Sequence, residues 1–169
     1  MLAQIRVRFL LAAAVVSLLA CASDDTAIPV SSSYDPLYRF PLESTFAWDE
    51  RSNTLPDNPD IDRNATDALL KEVIGEVFAA HGYRPGGADA PYRLSYEYAV
   101  NRRTGPDESF AMGSVSLILV ERASRRRIWT GFGRAEIYQG LTPEERRERL
   151  RRAMDRMLAN FPPTQRPAK

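Results

Sequence analysis

The most reactive side chain in this sequence is a lone thiol in an unusual place. Cys21 is the one cysteine among 169 residues, and it directly follows an apolar run, Phe9–Ala20, that is preceded by Arg6 and Arg8. A basic start, an apolar middle and a small residue before a cut are the three parts of a secretory signal. The apolar run is too short to be a stable membrane span: a dozen residues at ~1.5 Å each reach roughly 18 Å, against a ~30 Å hydrocarbon core. Residues 1–20 are therefore expected to be removed as a signal peptide. A cysteine kept for packing is expected inside a core, not at the end of a signal before Ala22-Ser23-Asp24-Asp25.

Leu18-Leu19-Ala20-Cys21 resembles the lipobox of bacterial lipoproteins. The resemblance implies that the thiol receives a diacylglycerol group, that the peptide is cut before Cys21, and that the new amine takes a further acyl chain such as palmitate. Several acyl chains at ~0.8 kcal/mol per buried methylene would hold the mature protein on a membrane almost permanently. Ala22, and not Asp, follows the cysteine. By resemblance to enterobacterial sorting signals, that favours the outer membrane, with the protein facing the periplasm.

Other groups suggest chemistry less specifically. Asp60, Asp62 and Asn64 alternate as in a calcium loop, but the sixth position is Ala65 where Gly is needed and the twelfth is Lys71 where a bidentate Glu belongs. The segment reads instead as a surface loop in which Asn64 or Thr66 caps a helix. The carboxylates between Asp49 and Asp67 would suit a hydrolase of envelope polymers only if two of them stood roughly 5 to 9.5 Å apart in a cleft. His81 falls in the last turn of the same helix, where a partial positive charge suits the helix dipole. Arg149, Arg152 and Arg156 line one flank of a later helix and are the candidate contacts for anionic groups. Pairs four apart, Glu145 to Arg149 and Glu148 to Arg152, offer the plainer account of a solvated face.

Arg125-Arg126-Arg127 sits in an expected hairpin turn. Tyr92, Tyr96 and Tyr98 form either one wall of a core or an aromatic groove. Arg84-Pro85-Gly86-Gly87 lacks the spacing and the Lys of a phosphate loop, and Ser109, Ser114 and Ser116 lack the context of a nucleophile. One Cys and one His exclude the ordinary zinc sites. No catalytic residue, metal or cofactor is expected. Removing residues 1–20 takes away Arg6 and Arg8 and no acid, turning the formal charge from +1 to −1, so nothing calls for nucleic acid as a partner.

The elements that must carry these groups make one domain. Residues 21–33 read as the lipidated cysteine and a polar, flexible tether punctuated by Pro29. The folded domain is expected over 34–163, with a disordered tail over 164–169. Thr45–Trp48 suits a buried strand. From Ala65 to His81 the apolar positions Leu69, Leu70, Val73, Ile74, Val77 and Phe78 recur at helical spacing, and Gly82 is a C-cap. Strands follow over Tyr92–Val100, Met112–Glu121 and Ile128–Tyr138, where Gly131 and Gly133 suggest a bulge or a close neighbouring backbone. Thr142-Pro143-Glu144-Glu145 announces a last helix with a capping box, and its core stripe is Leu150, Ala153, Met154, Met157, Leu158 and Phe161. The order β-α-β-β-β-α gives an α+β two-layer sandwich of about four mainly antiparallel strands with two helices on one face.

The chain resembles a family of bacterial lipoproteins known as domain of unknown function 4136. The resemblance rests on Tyr34-Asp35-Pro36, Phe40, Thr45-Phe46-Ala47-Trp48, His81-Gly82-Tyr83-Arg84, Ala88-Asp89, Ile128-Trp129-Thr130-Gly131 and Leu158-Ala159-Asn160-Phe161-Pro162-Pro163. It implies an envelope lipoprotein with an α/β sandwich and no established activity, so no functional residues carry over. The expectation is a non-enzymatic envelope lipoprotein, held to the membrane through Cys21, that binds a protein or glycan partner in the periplasm. An auxiliary role in lipid or glycolipid transport is the alternative, and an envelope hydrolase is the second.

Overall fold

A computed structural model describes residues 28–57, 61–104, 109–138 and 140–163, the side chains of 102–104 and 109–110 excepted. Cys21, Asp60 and the tail 164–169 lie outside the described residues. Among those described, six strands and two helices follow in the order β1 (Val30–Tyr34), β2 (Ser44–Trp48), α1 (Arg63–Ala80), β3 (Tyr83–Pro85), β4 (Tyr92–Thr104), β5 (Ser109–Glu121), β6 (Arg127–Ile137) and α2 (Pro143–Leu158). One sheet takes all six strands, in the spatial order β1-β6-β5-β4-β2-β3. Pairing is antiparallel from β1 through β6 and β5 to β4, and parallel where β2 meets β4 and β3. The α+β class stands; the count of four strands is corrected to six, and the order to β-β-α-β-β-β-β-α.

The two added strands were invisible for physical reasons. β1 is Val-Ser-Ser-Ser-Tyr, an exposed edge strand whose serines carry no apolar alternation. All of it but Tyr34 falls inside the segment expected to be a tether, and Ile28 just before it is already buried. β3 is three residues long and follows Gly82, whose φ of +85° turns the chain out of α1. α1 begins two residues earlier than its apolar spacing suggested. Asp62, and neither Asn64 nor Thr66, is its cap, accepting from the Ala65 amide at 3.0 Å. α2 has the expected box, with Thr142 and Glu145 bonding each other's main-chain amides.

Alternation along the long strands sends one set of side chains toward the helices. Tyr92, Leu94 and Tyr96 of β4, Leu117 and Leu119 of β5, and Trp129 of β6 are buried there with Leu70, Val73, Ile74, Val77 and Phe78 of α1 and Met154, Met157 and Leu158 of α2. Gly131 and Gly133 serve this layer. What comes close to them is not another backbone but the Met157 side chain, packed down from α2 onto the bare main chain. The strand irregularity lies elsewhere, between Leu119 and Val120 of β5 opposite the start of β6.

Between β1 and β2, residues 35–43 form a strap across the end of the sheet. Tyr38 and Phe40 turn inward, Tyr38 onto Tyr92 at 6.3 Å and Phe40 onto Phe161 at 5.8 Å between ring centroids. Leu37 and Leu42 turn outward and are 85% and 83% exposed. Phe161, just past α2, meets Phe40, Phe78, His81, Tyr83 and Trp129 edge-on or tilted, so five rings from the strap, α1 and its cap, β3 and β6 converge on it. Trp48, at the end of the run expected to be a buried strand, is only half-buried and packs edge-on against Phe46 and Tyr96.

Candidate functional site

The described residues bring one polar cluster together where β4, α1 and the loop after β2 meet. The loop is tied down first: the Asp49 amide donates to Leu94 O, the Thr54 amide to Tyr96 O, and the Tyr98 amide to Thr54 O, at 2.8 to 3.0 Å. This holds Glu50 beside the first turns of α1. Lys71 then donates from Nζ to Glu50 at 2.6 Å and to Asp67, one turn earlier in the helix, at 3.0 Å. The buried Tyr96 donates its hydroxyl to the other Asp67 oxygen.

Burial alone would raise the Asp67 carboxyl, but the bonds from Tyr96 and Lys71 and the lysine charge outweigh it and hold the group below the usual carboxylate range. Lys71, whose burial works the other way, is held above its ordinary value by Glu50 and Asp67. Burial and the Asp67 bond likewise push Tyr96 up. The result is an ionised carboxylate, a protonated amine and a protonated phenol locked to one another. A glycosidase acid needs the opposite, a carboxyl raised enough to keep its proton. Of the carboxylates between Asp49 and Asp67, Glu50 and Asp67 are thus brought together, with the Lys71 ammonium paired to both.

The helix-borne arginines are placed as follows. Arg149 stacks over the Tyr138 ring at 4.6 Å and, with Arg152, borders an open groove shared with Leu141, Glu144, Glu145 and Glu148. Three carboxylates thus stand beside two guanidiniums, and Glu145 is held in the cap of α2. Arg156 is exposed in the last turn, where its charge suits the helix dipole. Arg147 crosses to α1 and meets Glu72 at 2.8 Å and Glu76 at 2.6 Å, a tie between the helices. Arg151 pairs with Glu148 and Asp155 along its own helix.

His81, and not Gly82, is the C-cap of α1, Gly82 being the left-handed residue after it, and His81 Nδ1 lies 2.6 Å from the Phe161 carbonyl oxygen. A carbonyl can only accept, so Nδ1 carries the proton and the ring is committed to holding the two segments together. The tyrosines of β4 are core wall: Tyr38 and Tyr92 share a 2.8 Å hydroxyl contact, and burial with that contact pushes Tyr38 up. On the opposite face of the sheet, Ser31, Ser33, Ser116, Thr130, Glu97 and Phe132 surround a shallow depression. Ser31 and Ser33 come from the segment expected to be a tether, Ser116 and Thr130 from two of the expected strands.

Comparison with known proteins fits this picture. The family described as Domain of unknown function (DUF4136) matches residues 30–163, and the chain belongs to it. No curated protein matches in sequence. The PelC dodecamer from Paraburkholderia phytofirmans has a similar fold, with 15% identity, a TM-score of 0.52, and coverage of 79% of this chain and 96% of that one. A PDZ domain protein from Parabacteroides distasonis gives a TM-score of 0.54 at 12% identity over 82% of this chain, which spans only 36% of that protein. Lipoprotein GNA1162 from Neisseria meningitidis is 14% identical, with a TM-score of 0.46 over 69% of this chain and 99% of that one.

Proposed function

We propose that this member of the DUF4136 family is a non-enzymatic lipoprotein of the bacterial envelope, anchored through Cys21 to a membrane facing the periplasm and presenting its α+β domain as a binding or structural module. The observation that carries the reading is the sequence Leu18-Leu19-Ala20-Cys21 at the end of a signal core, with the domain beginning only a few residues later at Ile28. Ala22 after the cysteine makes the outer membrane the favoured side.

The interior supports a role played at the surface. Between sheet and helices, where a lipid carrier would need an open cleft, the space holds the rings of Phe46, Phe78, Trp129 and Phe161 in mutual contact. The polar cluster around Lys71 is a closed ion-pair network with no group poised to give up or take a proton. Both features favour recognition by outer surfaces over carriage inside or chemistry, and the partner is an envelope protein or glycan.

The test is Cys21→Ser in the native host. The expected result is an unprocessed or unlipidated precursor that leaves the membrane fraction, whereas the parent chain carries acyl mass on its first residue. The same acylated product from the variant would overturn the anchoring.

A further inference from the structure

The two edges of the sheet are unequal. At one, β3 is three residues long and ends in Pro85, which has no N–H to offer a partner. At the other, β1 has no proline and no charge, and four of its five residues are exposed. Flanking bonds show which of its main-chain groups are taken. Pro29 O accepts from the Arg134 amide at 3.2 Å, and the Asp35 amide donates to Ile128 O at 2.9 Å. Main-chain direction alternates along a strand, so 31 and 33 also turn toward β6, while Val30, Ser32 and Tyr34 turn their N–H and C=O groups away from the sheet. Large apolar side chains border this open edge on both faces. Tyr34, 51% exposed, lies on the helix side beside Trp129, and Phe132, 41% exposed, lies on the outer side beside Ser31.

We propose that β1 pairs with β1 of a second copy of this chain, antiparallel about Ser32. The strand is complementary to itself. Laid against its own reverse, Ser32 faces Ser32, Ser31 faces Ser33, and Val30 faces Tyr34. Each outward main-chain group then meets another outward group. A β-branched residue opposite an aromatic, and a hydroxyl opposite a hydroxyl, are favourable cross-strand pairs, and no charge meets its like. The two-fold relation uses up this edge, so the assembly closes at the pair.

A five-residue ribbon buries less than the ~800 Å² per partner of stable soluble complexes. Confinement makes up the difference. Cys21 lies only a few residues before β1, so anchored copies carry their open edges close to one surface at raised effective concentration. That strengthening rests on the anchoring proposed above; the match between the strands does not.

The experiment uses the full acylated chain in vesicles of phosphatidylethanolamine and phosphatidylglycerol, and in intact cells. Acylation consumes the only native thiol, so an introduced cysteine is the sole one free. Opposed Cα atoms in a hydrogen-bonded antiparallel pair stand ~5.5 Å apart, inside the range a disulfide spans. Ser32→Cys is expected to give a disulfide-linked pair under mild oxidation, and Leu42→Cys, on the strap, to give none. Ser32→Pro removes an outward N–H and leaves the ladder with β6 whole. It is expected to keep the parent melting temperature while energy transfer between copies labelled at Leu42→Cys falls severalfold. The proposal is overturned by absence of the Ser32→Cys pair, by equal linkage through Leu42→Cys, by a Ser32→Cys disulfide to a different protein, or by unchanged transfer in Ser32→Pro. The mass of the amino-terminal peptide reads acylation in the same samples, so a failure of anchoring is told apart from a failure of pairing.

Discussion

Met157 of α2 rests on the bare backbone of Gly131 in β6: a methyl group on that glycine would stand 2.6 Å from the methionine Cγ and 2.5 Å from Cη2 of Trp129. Gly131→Ala is therefore expected to cost about 1–3 kcal/mol by overpacking. Shortening the methionine makes room, so in the Met157→Ala background the same glycine change should cost clearly less. Urea unfolding of the four chains checks this, and simple additivity would show that the contact is not the cause.

Gly82 gives a stricter case, because the obstacle is main chain. Its φ is +85°, and an added Cβ would run into the Leu42 carbonyl oxygen. Gly82→Ala should lower stability by more than ~1 kcal/mol. Gly87 has nothing within 4 Å of such an atom, and Gly87→Ala should be close to neutral. Thermal melts of the two variants side by side provide the comparison.

The two tryptophans separate in the same way. Trp129 is 2% exposed and meets both Phe78 and Phe161, so Trp129→Ala should cost about 3–5 kcal/mol. Trp48 is half-buried, and its replacement should cost visibly less. Acrylamide quenching of the single-tryptophan chains should find Trp48 the more accessible.

The ion network around Lys71 makes acid stability predictable in sign. Asp67 has a folded pKa below its unfolded value, so its contribution is present above the unfolded value of ~3.9 and is lost as pH falls through the folded one. Lys71 is shifted upward, so its contribution is complete below ~10.4 and is lost as pH rises through the folded value. Asp67→Asn should flatten the acid limb of a plot of melting temperature against pH. An unchanged limb would place the acid sensitivity elsewhere.

What the sequence disclosed followed from how strongly each residue pattern was constrained. The α2 cap was legible because Thr142, Pro143 and Glu145 each do one thing at one position. The β4 face was legible because Tyr92, Leu94 and Tyr96 alternate without a break. β1 was hidden because its serines are placed by the main-chain pairing of Ser31 and Ser33 with β6, which side-chain type does not report. The helix cap slipped to Asp62 because Asp, Asn and Thr compete for that role within five residues. The cluster of Glu50, Asp67, Lys71 and Tyr96 was out of reach, since its members come from a loop, a helix and a strand. Only Asp67 and Lys71, four apart on α1, carried a local signal.

Phe161 holds together rings from the strap, α1, the β3 start and β6, yet it lies at the very end of the described chain. A polypeptide that emerges amino end first receives this keystone last. Until it arrives, Phe40, Phe78 and Trp129 have no common neighbour to close upon, and the core stays unfinished. The aromatic layer is therefore completed by the last part of the domain to be made, the residues just past α2.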